Sequence, residues 1–173
     1  MSDITATASY TEEDDGAESA ALLVSASIAE RILEDILSAL AAINGASGYA
    51  TRLKTLSRGL LSPLETTYLP TASLLPVSDE PEYGAQTLRR SMAVTVRVWI
   101  DTALATAPMA LEALIADVKK ALRVASRRSG YAQDSREVST NYIYLQSAES
   151  LAGADVNWTI DYRTDIDNPL QQS

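Results

Sequence analysis

An α+β fold is predicted: a single mixed or antiparallel sheet of four to five strands, with two main helices packed on one face. Three observations predict it. Residues 28–43 and 108–128 carry apolar side chains at helical spacing. Several other stretches alternate apolar and polar residues, the mark of a strand with one buried face. The order runs helix, one or two strands, strand, helix, strand, strand. That order lacks the regular strand–helix alternation of a doubly wound sheet. At 173 residues the chain divides into an acidic N-terminal tail, residues 1–16, and one α+β domain, residues 17–173.

Taken in order, residues 1–16 are polar, acidic and rich in small side chains, the composition of a disordered tail. Residues 17–43 read as a long helix, in which Ile28, Ile32, Ile36, Leu40 and Ile43 form one apolar stripe widened by Leu22, Leu33 and Leu37. Asn44-Gly45 ends it, since both residues tolerate the left-handed conformation. Residues 49–61 contain a first strand. "TASLLPV" makes a short strand ending at Pro76, and "SDEPEYGAQ" follows as an acidic exposed loop. Residues 88–100 make the clearest strand, with Met92, Val94, Val96, Val98 and Ile100 on one face and Ala93, Thr95, Arg97 and Trp99 on the other.

Residues 108–128 form the second helix. Thr106 is placed to cap it, Pro108 lies in its first turn, and Leu111, Leu114, Ile115, Val118 and Leu122 form its buried stripe. Lys119, Lys120, Arg123, Arg127 and Arg128 crowd its last turns, where cations complement the dipole, before Gly130 closes it. Two closing strands remain. The first sets Val138, Thr140, Tyr142 and Tyr144 on one face. "SAESLAGAD" is the turn, and Val156, Trp158, Ile160 and Tyr162 make the apolar face of the second. The two should pair as an antiparallel hairpin.

Composition narrows the chemistry. The chain has no cysteine and no histidine, so no thiolate, disulfide, Ser-His-Asp triad, His-ligated zinc or imidazole shuttle can occur. Any catalysis would run on carboxylates, Lys, Tyr, Ser or Thr, which points away from an enzyme. Phenylalanine is also absent and alanine occurs 27 times, so core volume comes from Leu, Ile and Val. The net charge is −9, and residues 1–20 hold six acids and no base. Such a chain is unsuited to gripping nucleic acid, yet it could line a passage along which DNA slides without sticking. No apolar run reaches the ~18 residues of a membrane span, and the N-terminus lacks the basic and apolar regions of a signal peptide.

No motif stands out as catalytic, cofactor-binding or metal-binding. "INGASGY" follows a helix and has no lysine after its glycines, so it fails as a phosphate loop. Asp161, Asp165 and Asp167 lack the glycine and the later glutamate of a calcium loop and read as solvated. Asp79, Glu80 and Glu82 cluster without a visible pocket, so they read as contact or solvated residues. Arg89-Arg90 and Arg127-Arg128 suit partner carboxylates, or simply solvated ends of a strand and a helix. Trp99 lies on the polar face of its strand, open to a covering helix or to an interface.

One arrangement goes further. A long helix is followed by a proline-containing strand region. Then come the acidic "SDEPEYG", the strand "RRSMAVTVRVWID", the helix "APMALEALIADVKKAL" and a hairpin ending "VNWTIDYRTDIDNP". This order resembles the tail terminator, or tail completion, proteins of tailed bacteriophages, the group that includes the phage lambda terminator. Members commonly finish with an apolar strand running into a "YRT…P" element, matched here by Tyr162, Arg163, Thr164 and Pro169. The resemblance covers roughly residues 20 to 170.

The resemblance implies a non-enzymatic virion protein, made in the host bacterial cytoplasm. Six copies would form a ring on the head-proximal end of the tail tube, stop tube growth and join the tail to the head connector. Its partners would be its own copies, the tail tube protein and the connector protein. DNA would pass through the lumen without specific binding, and neither a cofactor nor a membrane is involved. Asp79, Glu80, Glu82, Arg89, Arg90, Trp99 and Arg163 are the expected subunit or partner interface residues, with Arg163 the expected charged contact unless it only neutralises Asp161 or Asp165. The alternatives are another neck or head–tail joining protein, a free-standing protein-binding module, and an enzyme built on carboxylates or lysine.

Overall fold

The β-branched run of residues 92–100 forms the long central strand that its alternation requires, and the rest of the sheet is laid out around it. The computed structural model describes residues 26–59, 68–84, 87–103, 106–124, 126–146, 150–168 and 170–172. In chain order the elements are α1 (Ile28–Ala41), β1 (Thr55–Arg58), β2 (Thr71–Tyr83), β3 (Thr87–Asp101), α2 (Ala107–Val124), β4 (Ala132–Gln146) and β5 (Ser150–Asp165). They give one mixed five-stranded sheet in the order β1-β2-β3-β5-β4. Among the described residues only the β1–β2 pair is parallel.

The apolar periodicities explain the layers. Ile28, Ile32, Ile36 and Leu40 of α1 and Leu111, Leu114, Ile115, Val118 and Leu122 of α2 are buried together with Val94, Val96 and Val98 of β3 and Val156, Trp158 and Ile160 of β5. Both helices thus cover one face, as expected from sequence. Ser27 caps α1 by accepting from the Glu30 amide at 3.1 Å. Gly45 beyond its end has φ of 75°, the conformation for which Asn44-Gly45 was read. Residues 17–25 of the expected first helix lie outside the described residues, as does the 1–16 tail.

Several expectations need correction. Residues 78–83 of the "SDEPEYGAQ" stretch are strand and not loop: β2 continues through Pro76 and Pro81 to Tyr83, paired with β3 as far as Leu88. Among the described residues β1 covers β2 only from Thr71 to Leu74, so the rest of β2 lies at an edge, where prolines are tolerated. A bulge between Pro76 and Ser78 then reverses the alternation, turning Asp79 to the helix face and Glu80 and Glu82 to the open face. The expected first strand is confined, among the described residues, to the four of β1. The "SAESLAGAD" turn is also shorter than read, since β5 begins at Ser150.

The last strand, which closes the chain, does not close the sheet. It lies inside it, between β3 and β4. Val138 falls on a bulge between Glu137 and Ser139 and is exposed, so it leaves the face that Thr140, Tyr142 and Tyr144 share. Helix α2 ends at Val124, and Arg128, read as one of its solvated cations, is buried in the turn that follows.

The loop after α1 is tied to α2 by two side chains, Lys120, which donates to the Gly48 carbonyl at 2.6 Å, and Asp117. Asp117 is buried and accepts from the Ala50 amide at 3.2 Å, the Thr51 amide at 2.7 Å and the Thr51 hydroxyl at 2.7 Å. Removing the acceptor strands two backbone donors, so Asp117→Ala should cost about 1–3 kcal/mol, read as a lower urea midpoint with an unchanged slope.

Candidate functional site

Six of the seven expected interface residues meet at one end of the sheet, on both of its faces. The register sets the rows: Glu82 lies opposite Arg89 and Arg89 opposite Arg163, while Glu80 lies opposite Ser91 and Ser91 opposite Asp161. Glu80, Glu82, Arg89 and Arg163 therefore share the open face. Asp79 and Arg90 lie on the helix face.

On the helix face the polar groups are satisfied by one another. Arg90 Nε donates to both Asp79 oxygens at 3.2 and 3.0 Å, and the Tyr162 hydroxyl donates to Asp79 Oδ2 at 2.7 Å. Burial and then the neighbouring Asp79 carboxylate push the Tyr162 phenol far above its ordinary range, so it stays protonated and donating. The Asp79 hydrogen bond holds the Arg90 guanidinium above its usual value. Asp79 and Arg90 are thus anchors of the β2–β3–β5 strand end, and they are not free charges.

On the open face the "YRT" element has a clear geometry. Tyr162 is 1 % and Thr164 2 % exposed, both on the helix side, while Arg163 between them faces the opposite way. Its Nε is buried without a hydrogen-bond partner. Asp161 is engaged elsewhere, accepting from Ser91 at 2.8 Å and from Arg136 at 2.5 Å. Asp165 instead accepts from the Asp167 and Asn168 amides at 2.8 and 3.2 Å, an Asx turn that ends the strand. Asp161 and Asp165 are therefore part of β5 and hydrogen-bonded within the fold while staying partly exposed, not loop residues. Glu80, Glu82, Arg89, Arg136 and Asp161 line part of a shallow concavity of about 350 Å³. Charged groups of both signs around a shallow depression are equipped to recognise charged side chains of a partner.

Trp99 is at the other end of β3, ten residues from Arg89 and so ~33 Å away. It lies on the open face, not under a helix, yet is only 4 % exposed. It lies opposite Gly153 of β5, and the space a side chain would take there is filled by the indole. Between the two ends runs a polar ladder that sequence reasoning did not foresee. Arg97 pairs bidentately with Asp155 at 2.7 and 2.8 Å, and Thr95, Asn157 and Ser139 are linked at 2.7 and 3.0 Å. The alternation of β3 and β5 places these side chains on one face, but only the register makes them partners.

Among the described residues, no group of three or more acids is gathered as a metal site, and no helix is long and apolar enough to cross a membrane. No family model matches the chain, and no curated protein matches it. Among solved structures the fold is similar to a chain in the virion of a native gene transfer agent particle. The TM-score is 0.46 and the identity 13 %, over 81 % of this chain and 94 % of that one. A likeness of that degree leaves function to be argued from residues and geometry.

Proposed function

We propose that this chain is a structural protein of a phage-like virion, and within that class a tail terminator. Six copies form a ring on the head-proximal end of the tail tube, stop its growth and offer a surface to the head connector. The observation that carries the reading is Arg163, held outward by two buried neighbours within the "YRT" element that the terminator family shares. The element order and the helix-on-one-face sheet support it. So does the absence of histidine and cysteine, which removes the commonest catalytic groups. The net charge of −9 suits a lumen through which DNA slides. On this reading Glu80, Glu82, Arg89 and Arg163 form a charged contact, and Trp99 fills the other end of the same open face.

Two measurements test it. Light scattering on the purified protein should show a discrete species of about 112 kDa, six times the 18.6 kDa chain. A monomer at every concentration that also fails to bind one end of added tail tubes would exclude the terminator role. Arg163→Glu should leave the fold and its melting temperature unchanged while abolishing ring assembly on tubes. Normal capping by that variant would remove Arg163 from the contact.

A further inference from the structure

The sheet treats its two edges differently. Beyond Leu74, the β2 edge carries Pro76, a bulge, Asp79, Glu80, Pro81 and Glu82, the devices by which proteins prevent strand addition. The β4 edge has none of them in its second half. Residues 139–146, "STNYIYLQ", run opposite β5 without a bulge, and contain no proline and no charge. Among the described residues no strand pairs with their outer side. Tyr142 and Tyr144 stand exposed on this stretch, with rings parallel at 6.5 Å. Beside Tyr144 a cavity of about 300 Å³ opens, lined by Ala107, Pro108, Leu111 and Ala152. An edge left open in this way is a template for one more strand.

The chain itself contains a matching segment. Residues 4–11, "ITATASYT", alternate Ile4, Ala6, Ala8 and Tyr10 with Thr5, Thr7, Ser9 and Thr11, and carry no charge, proline or glycine. Thr, Ile and Tyr favour strands, and a period of two sorts apolar and polar side chains to opposite faces. We propose that residues 4–11 of one copy add as a strand to residues 139–146 of the next copy.

The reach is sufficient. Residues 12–26 span about 50 Å when extended, more than the roughly 40 Å width of a domain this size. The arm departs from the start of α1, where Ser27 and Ala29 line a small cavity with Asp79, Arg90 and Tyr162. The receiving stretch ends where Gln146 pairs with Ser150, at the far end of the sheet. An arm leaving one end and an edge accepting at the other form a head-to-tail contact, which repeats around a ring. The choice of a neighbour over the same chain rests on the ring proposed above.

The test uses the full chain, a chain lacking residues 1–11, and the full-length Ala6→Pro, Ala8→Pro variant, whose arm has lost two backbone donors. Light scattering reads the ring, and amide hydrogen exchange reads the edge. In the full chain the outward amides of residues 139–146 should be protected at the ring mass. In both altered chains they should exchange at least tenfold faster, and the ring mass should be lost. Unchanged exchange overturns the proposal. Faster exchange with the ring intact places the arm on its own copy and also overturns it, leaving the terminator reading standing. A full chain that never leaves the monomer mass removes the ring, and with it the contact between copies.

Discussion

Arg128→Ala is expected to destabilise the fold by about 3–5 kcal/mol, the cost of removing one partner from a buried charged network. Arg128 is 1 % exposed. Its guanidinium donates to the Leu122 carbonyl at the end of α2 and to Ser135 Oγ of β4 at 3.3 Å, and lies 3.7 Å from Asp35 of α1. Three elements therefore converge on one side chain. Burial lowers its affinity for the proton and the Asp35 carboxylate opposes that, so the cation is held beside a carboxylate whose Oδ2 is itself buried. For a domain of this size the thermal midpoint should fall by ~10 °C.

The turn makes the prediction sharper. Arg128 and Ser129 have φ of 46° and 55°, a conformation that side chains resist. Arg128→Gly loses the same hydrogen bonds but relieves that strain, so it should be the milder change by about 1 kcal/mol. Asp35→Ala combined with Arg128→Ala should cost less than the sum of the single changes, because each alone strands the other. Equal costs for Ala and Gly at position 128, or strict additivity with position 35, would place Arg128 outside the network. Calorimetry on the four variants decides it.

What could be read from the sequence divides along physical lines. The stripes of α1 and α2 and the alternation of β3 and β5 follow from burial of one face, so they were visible as period alone. The β2 edge was not, because Pro76, Pro81 and the acids between them have the composition of a loop. Among the described residues its outer side lies beyond β1's reach, and that makes them tolerable in a strand. Nor was Arg128. An arginine four residues after Val124 resembles a dipole-stabilising cation, and the left-handed turn at Arg128-Ser129-Gly130 that buries it has no signature beyond Gly130. Of the expected interface set, the placing of Glu80 and Glu82 on the face of Arg89 and Arg163 depends on a bulge no sequence pattern announces. By charge alone Asp79 and Arg90 suit a contact, and only the strand register shows that they pair with each other.

Gly153→Ala tests the other end of the sheet. A Cβ at Gly153 would stand 2.5 Å from the Val98 carbonyl oxygen and 2.6 Å from Trp99 Cε3, well inside van der Waals contact. β5 cannot retreat to make room, because it is paired with β3 on one side and β4 on the other. Overpacking a fixed backbone costs typically 1–3 kcal/mol, and with two clashes at once the cost should lie at the top of that range. The variant also bears on function. If Trp99 shapes the open face only through its seat on Gly153, displacing the indole should raise its solvent exposure without disturbing the sheet end around Arg163. Acrylamide quenching of tryptophan fluorescence should then increase in Gly153→Ala, while the variant that still folds keeps its capacity for assembly. Loss of assembly at unchanged stability would instead put Trp99 in the contact itself. Trp99→Leu provides the control, since a smaller side chain relieves the indole clash but leaves the Val98 carbonyl clash. Gly153→Ala on that background should therefore be milder than on the native chain, but not neutral.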